Sequence, residues 1–104
     1  MIAIPIVRAA TTVLDIPIGN AIILTCNGSS VPGPSSALWR RNGTLISSYT
    51  IMFMKINASL ATSTLIINSS QHEDAGDYVC TMKNKFSSNN SQAIHVTILG
   101  NIST

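Results

Sequence analysis

Charged side chains are scarce in this sequence. Lys, Arg, Asp and Glu make up 10% of its 104 residues, against about 25% in an ordinary soluble domain. The formal net charge is only +2, and neither Lys/Arg runs nor clustered aromatics occur. That sets nucleic acid aside as a partner. Glu73, Asp74 and Asp77 hold three of the four acidic side chains, but they lack the Asp-x-Asp spacing and further oxygen ligands of a calcium loop. A solvated turn is the simpler reading. There is no glycine-rich phosphate loop, and no nucleophile flanked by a base can be assembled from the Ser, His and Asp residues. The expectation is therefore a domain that is not an enzyme, with no catalytic residue, metal or cofactor. Long apolar runs are missing too: none approaches the roughly 18 to 20 residues of a membrane span. The opening Met1 to Arg8 is broken by Pro5 and too short for a signal peptide. The chain is expected to be a piece of a longer secreted or membrane-anchored protein that does not itself insert into a membrane.

With so little charge, another source of solubility is needed, and asparagine provides a candidate. Asn-x-Ser/Thr triplets occur at Asn27, Asn42, Asn57, Asn68, Asn89 and Asn101. Chance supplies roughly one or two in a chain rich in Asn, Ser and Thr, so six is dense. Polar turn residues that happen to spell the triplet remain an alternative. The secretory reading has the advantage that hydrophilic glycans would solubilise a charge-poor surface. The two cysteines, Cys26 and Cys80, decide little about compartment by themselves, since a reduced buried pair is also compatible.

Apolar alternation points to strands throughout, with no helical period of useful length. Ile2 to Val7 reads as an edge strand, because Pro5 cannot donate to a ladder. Val13 to Ile16 continues it, with Leu14 and Ile16 inward. In Ala21 to Cys26, counting back by twos from Cys26 turns Leu24 and Ile22 inward. Asn27 to Ser36 is rich in Gly, Pro and Ser and reads as a loop. Ala37 to Arg41 follows with Ala37 and Trp39 inward, then Asn42-Gly43, a type I′ hairpin signal. Ser47 to Met54 lacks clean alternation. Ser63 to Asn68 carries Leu65 and Ile67 inward, Asn68 to Gly76 is a turn, and Tyr78 to Lys83 is a strand. After a loop from Phe86 to Asn90, Gln92 to Leu99 alternates Ile94, Val96 and Ile98 with His95 and Thr97. Residues 1–100 form the expected domain, and 101–104 a linker or tail.

Cys26, the lone Trp39 and the run Asp74-Ala75-Gly76-Asp77-Tyr78-Val79-Cys80 stand in an order that resembles an immunoglobulin domain, with a loop before Trp39 similar to the I-set branch and a V-like domain as the alternative. The resemblance covers Leu14 to Ile98. It implies an all-β, two-sheet Greek-key sandwich in which Cys26 and Cys80 form one intersheet disulfide roofed by Trp39, with Tyr78 at the tyrosine corner. Two buried free thiols are the alternative; a mass lower by about 2 Da before reduction than after it distinguishes the disulfide. Trp39, Tyr78, Leu65 and Leu24 are the expected core. Many family members pair the acid at the Asp74 position with a base at the start of the fourth strand. Here Lys55 is the only base in that region, so Asp74 is as well read as a cap on its own turn. In this architecture His72 and His95 are not neighbours, which argues against a metal site.

The resemblance implies noncovalent protein recognition, and the strand count gives it a face. Arg40, Lys83 and His95 should project from the outer side of the sheet carrying the third, sixth and seventh strands, with Lys85 near the rim and Asp77 the only acid. Asn27 and Asn89 are expected at one end of the sandwich, Asn42 and Asn68 at the other, Asn57 near the fourth strand and Asn101 in the tail. That would leave the Arg40/Lys83/His95 face free of glycans for a protein partner or for self-association. Scattered solvated side chains are the alternative. The resulting expectation is an extracellular binding module of a cell-surface receptor or adhesion protein, set against a passive spacer in a multidomain ectodomain or a secreted immune decoy.

Overall fold

The computed structural model describes residues 4–100. The first two residues of the expected edge strand, the Asn101 triplet and the tail lie outside them. The described residues form ten strands: β1 (Ile6–Ala9), β2 (Val13–Pro17), β3 (Ile22–Ser29), β4 (Ser36–Arg41), β5 (Thr44–Leu45), β6 (Thr50–Lys55), β7 (Leu60–Ile67), β8 (Gly76–Lys83), β9 (Ser88–Asn90) and β10 (Ile94–Leu99). One 3-10 turn, His72–Asp74, precedes β8. The strands make two sheets, ordered β1-β3-β7-β6 and β2-β10-β8-β4-β5, with β9 also paired to β8. All pairings are antiparallel except that of β2 with β10. Splitting the first strand lets β1 close one sheet while β2 closes the other.

The period-two pattern buries one side of each sheet between the layers. From β3 come Ile22, Leu24 and Cys26; from β7, Leu65 and Ile67; from β4, Trp39; from β8, Tyr78, Cys80 and Met82; and from β10, Ile94, Val96 and Ile98. A disulfide joins Cys26 to Cys80 across the sandwich, and Trp39 stands opposite Cys80 in the ladder. Leu14, Ile16, Ile51 and Phe53 pack against this core from the outer strands.

Two local features explain how the chain reverses and where it departs from expectation. Asn42 (φ 50°) and Gly43 (φ 84°) both adopt positive φ between Arg41 and Thr44, the requirement of a type I′ turn. By contrast, Asn27-Gly28-Ser29 is not loop. It extends β3, paired to β1 on one side and β7 on the other. Gly28 points into the core, where a Cβ would overlap Met82 Sδ; the glycine is there for close packing rather than for a turn. The stretch without clean alternation resolves into β6, a sheet edge.

Candidate functional site

Beneath the candidate face, the end of the sandwich is held by a polar cluster around Asp74, which is almost fully buried. Its Oδ2 accepts the Gln71 backbone N–H at 2.8 Å, so the capping role expected of it is present. Its Oδ1 accepts the Tyr49 hydroxyl at 2.5 Å and lies 3.5 Å from Arg41 Nη1. The Tyr78 hydroxyl donates to the Asp74 carbonyl at 2.6 Å, the hydrogen bond of a tyrosine corner. The base facing Asp74 is thus Arg41 at the end of β4, not Lys55. Arg41 sits two residues after inward Trp39, and the same count that turned Trp39 inward was the available signal. Tyr49 lay in the stretch without alternation and had none. The nearby Tyr78 hydroxyl pushes the Arg41 pKa up; the bond to Asp74 raises that of Tyr49, and burial raises that of Tyr78.

The outer face of the second sheet carries the three residues singled out by sequence. Arg40, Lys83 and His95 are all exposed. Arg40 stands between Val79 of β8 and Leu45 of β5, and Lys83 between Ser36 of β4 and Ser88 of β9. The longer reach of Arg40 brings Nη1 to 3.5 Å from Thr81 Oγ1. Among the described residues neither base has a carboxylate within ion-pair distance. His95 differs: its Nδ1 lies 2.7 Å from Asp77 Oδ1, its cross-strand neighbour. Facing an ionised carboxylate, which only accepts, Nδ1 is the donor.

The face is less basic than the sequence suggested. Asp15 projects outward from β2, paired with Thr97, and adds a second acid. Between the charges lies apolar surface: Leu38 and Val79 are half-buried, and Leu45 is 56% exposed. Lys85 lies at the rim with its ammonium 5.2 Å from the Phe86 ring centroid, a cation–π contact. Asn84 holds that rim: its Oδ1 accepts the Phe86 and Ser87 N–H groups at 2.9 Å, and its Nδ2 donates to the Pro32 carbonyl at 3.0 Å. Among the described residues no three His, Cys, Asp or Glu side chains come together as a metal site would need.

The triplet asparagines take other positions. Asn42 lies at the β4–β5 turn, its Oδ1 accepting the Asp77 N–H at 3.0 Å. Asn68 follows β7, and Asn57 lies between β6 and β7. Asn89 pairs with inward Met82, and its Nδ2 donates to the Pro5 carbonyl at 3.0 Å, away from the candidate face. Asn27 lies toward the expected end of the sandwich, two residues before the end of β3, and projects from the first sheet between Arg8 of β1 and Thr62 of β7. The expectation that it belonged to a loop fails because β3 runs through it.

Two disulfide-linked β layers, a tryptophan beside the bridge and a tyrosine corner define an immunoglobulin-type sandwich. The sequence model of the immunoglobulin domain matches residues 5–84, and the chain belongs to that family, whose fold is typically a non-enzymatic binding or structural module. It is 27% identical over 100 residues to the mouse (Mus musculus) leucine-rich repeat, immunoglobulin-like domain and transmembrane domain-containing protein 3, covering 96% of this chain and 14% of that relative. Among solved structures it is similar to Dpr2 Ig1-Ig2 in complex with DIP-Theta Ig1-Ig3, with TM-score 0.81, 20% identity, and 91% of this chain and 32% of that one covered. It is also similar to a point-mutant form of the titin M10–obscurin-like 1 Ig complex, with TM-score 0.71, 25% identity, and 91% and 92% covered. No helix among the described residues is long and apolar enough to cross a membrane.

Proposed function

We propose that this domain is an extracellular recognition module of a cell-surface receptor or adhesion protein, and that it meets a protein partner through the outer face of β4, β8 and β10. One observation carries the reading: Arg40 and Lys83 are exposed beside Leu38, Val79 and Leu45, with no carboxylate in ion-pair reach among the described residues. Unpaired bases next to apolar surface are well suited to a partner that supplies the missing acids and covers the apolar centre. The transmembrane domain in the mouse relative's name supports a membrane-anchored parent, and the titin–obscurin-like 1 complex is a protein–protein assembly of the same family. The dense Asn-x-Ser/Thr triplets support an extracellular setting, and none of those within the described residues projects from this face. In this reading residues 1–100 are the domain and 101–104 a linker or tail.

The test presents the domain as a tetramer to a panel of recombinant ectodomains, with the domain itself among them. Arg40→Glu with Lys83→Glu should abolish binding at unchanged Tm. Undiminished binding by that double variant would remove the face from the proposal. If nothing in the panel binds and the domain stays monomeric, the spacer reading takes its place.

A further inference from the structure

The outer face of the first sheet contains a shallow groove of about 210 Å³, lined by Ile6, Arg8, Asn27, Gly28, Ser29 and Leu60. The ladder register explains it. Ile6, Ser29 and Leu60 form one row across β1, β3 and β7, so a small serine stands between two apolar side chains that are 56% and 36% exposed. The next outward row is Arg8, Asn27, Thr62 and Met54. Asn27 therefore borders the depression, with buried Cys26 and Gly28 on either side holding it outward. The Asn42 and Asn89 amides are drawn into backbone hydrogen bonds; Asn27 instead lines the groove.

Asn27-Gly28-Ser29 is an acceptor triplet for N-linked sugar, and here the acceptor opens onto a surface with the character of a sugar ring. A pyranose has an apolar C–H face and a polar rim. The groove has Ile6 and Leu60 for the first, and the Arg8 guanidinium with the Ser29 hydroxyl for the second. We propose that Asn27 carries an N-linked glycan whose first N-acetylglucosamine lies in this groove against Ile6 and Leu60. The inference rests on the extracellular reading above. It gives a strand-borne triplet a structural role: the glycan covers exposed Ile6, Leu60 and Met54 on the first sheet and leaves the second as the free face. Covering that apolar surface stabilises the fold by removing it from water.

The test is secretion of the chain from animal cells behind an added signal sequence, with site occupancy read by glycopeptide mass spectrometry. Asn27 should be occupied, and trimming with an endoglycosidase that leaves one sugar should keep the Tm of the intact glycoprotein. Asn27→Gln and Ser29→Ala should each lower Tm by roughly 4 °C, and neither should show this loss when the protein is made in bacteria without glycans. Leu60→Ser should lose the same increment at unchanged occupancy. A bare Asn27 in protein glycosylated at its other triplets would overturn the proposal, as would a Tm indifferent to the sugar. Absence of sugar at every triplet would instead overturn the extracellular reading, and the groove proposal with it.

Discussion

Trp39 Nε1 donates a 3.0 Å hydrogen bond to Ser63 Oγ across the two layers of the sandwich, and both residues are buried. Ser63 Oγ in turn donates to the Met52 carbonyl at 2.7 Å. A single hydroxyl thus satisfies the indole of β4 and a carbonyl of β6 from its place on β7. Ser63→Ala leaves the indole N–H without its partner and frees the Met52 carbonyl, an expected loss of about 1–3 kcal/mol. The urea midpoint should fall with an unchanged slope, because the surface exposed on unfolding is the same.

Asp74 gathers four interactions into one buried carboxylate and its carbonyl. Asp74→Ala removes the Gln71 cap, the Tyr49 bond and the charge facing Arg41. The Arg41 side chain is 29% exposed, so water screens part of the lost pairing, and the cost should be about 2–3 kcal/mol rather than that of a fully buried pair. Arg41→Ala should cost less, because the cap and the tyrosine bond survive it. Thermal unfolding of the two variants side by side checks the order.

The same cluster sets behaviour at high pH. Burial raises the Tyr78 pKa and the bond to Asp74 raises that of Tyr49, both from an ordinary value near 10. A group with a raised folded pKa contributes stability that is complete below the unfolded pKa and disappears as pH rises through the folded one. Stability should therefore hold up to about pH 10 and decline beyond it as the unfolded tyrosines lose protons. Tyr49→Phe should lower stability at neutral pH and make the alkaline decline shallower. Denaturant midpoints followed across that pH range measure both.

The core was legible because its rule is local. Trp39 and Cys80 each fix a phase, and counting by twos from them reaches Ala37 and Tyr78; the same count from Cys26 reaches Leu24 and Ile22. The end of β3 was not legible, because Asn27-Gly28-Ser29 has the composition of a turn and only Met82, distant from Gly28 in the chain, shows why the glycine must be flat against the core. Arg40, Lys83 and His95 could be placed on one face by the same counting. What counting could not supply was lateral order: the Asp77 partner of His95 and the addition of Asp15 both depend on which strands lie side by side.

The Cys26–Cys80 bond closes a loop with a sequence separation of 54, for which the chain-entropy model assigns roughly 4 kcal/mol. That is a large share of the 5–15 kcal/mol typical of a domain. Replacing both cysteines with alanine should lower Tm by well over 10 °C, since about 1 kcal/mol corresponds to 4–8 °C in a chain of this size. The circular dichroism spectrum at low temperature should stay that of a β protein.

Gly28 gives a test of how closely the two sheets approach. A Cβ there would overlap Met82 Sδ and lie 3.3 Å from Pro34 Cγ. The sulfur belongs to a flexible side chain, but Met82 is completely buried and has little room to retreat. Gly28→Ala should therefore cost about 1–3 kcal/mol through overpacking, although alanine is no worse than glycine for a strand backbone. Shortening the obstacle should reverse much of the loss: Gly28→Ala combined with Met82→Val is expected to be more stable than the sum of the two single changes predicts. A double-mutant cycle reads that coupling directly, and simple additivity would mean that the methionine moves aside without cost. The middle position of an acceptor triplet accepts any residue but proline. Gly28→Ala therefore keeps Asn27 and Ser29 in place as an acceptor, and the packing effect is measured without removing the glycan site.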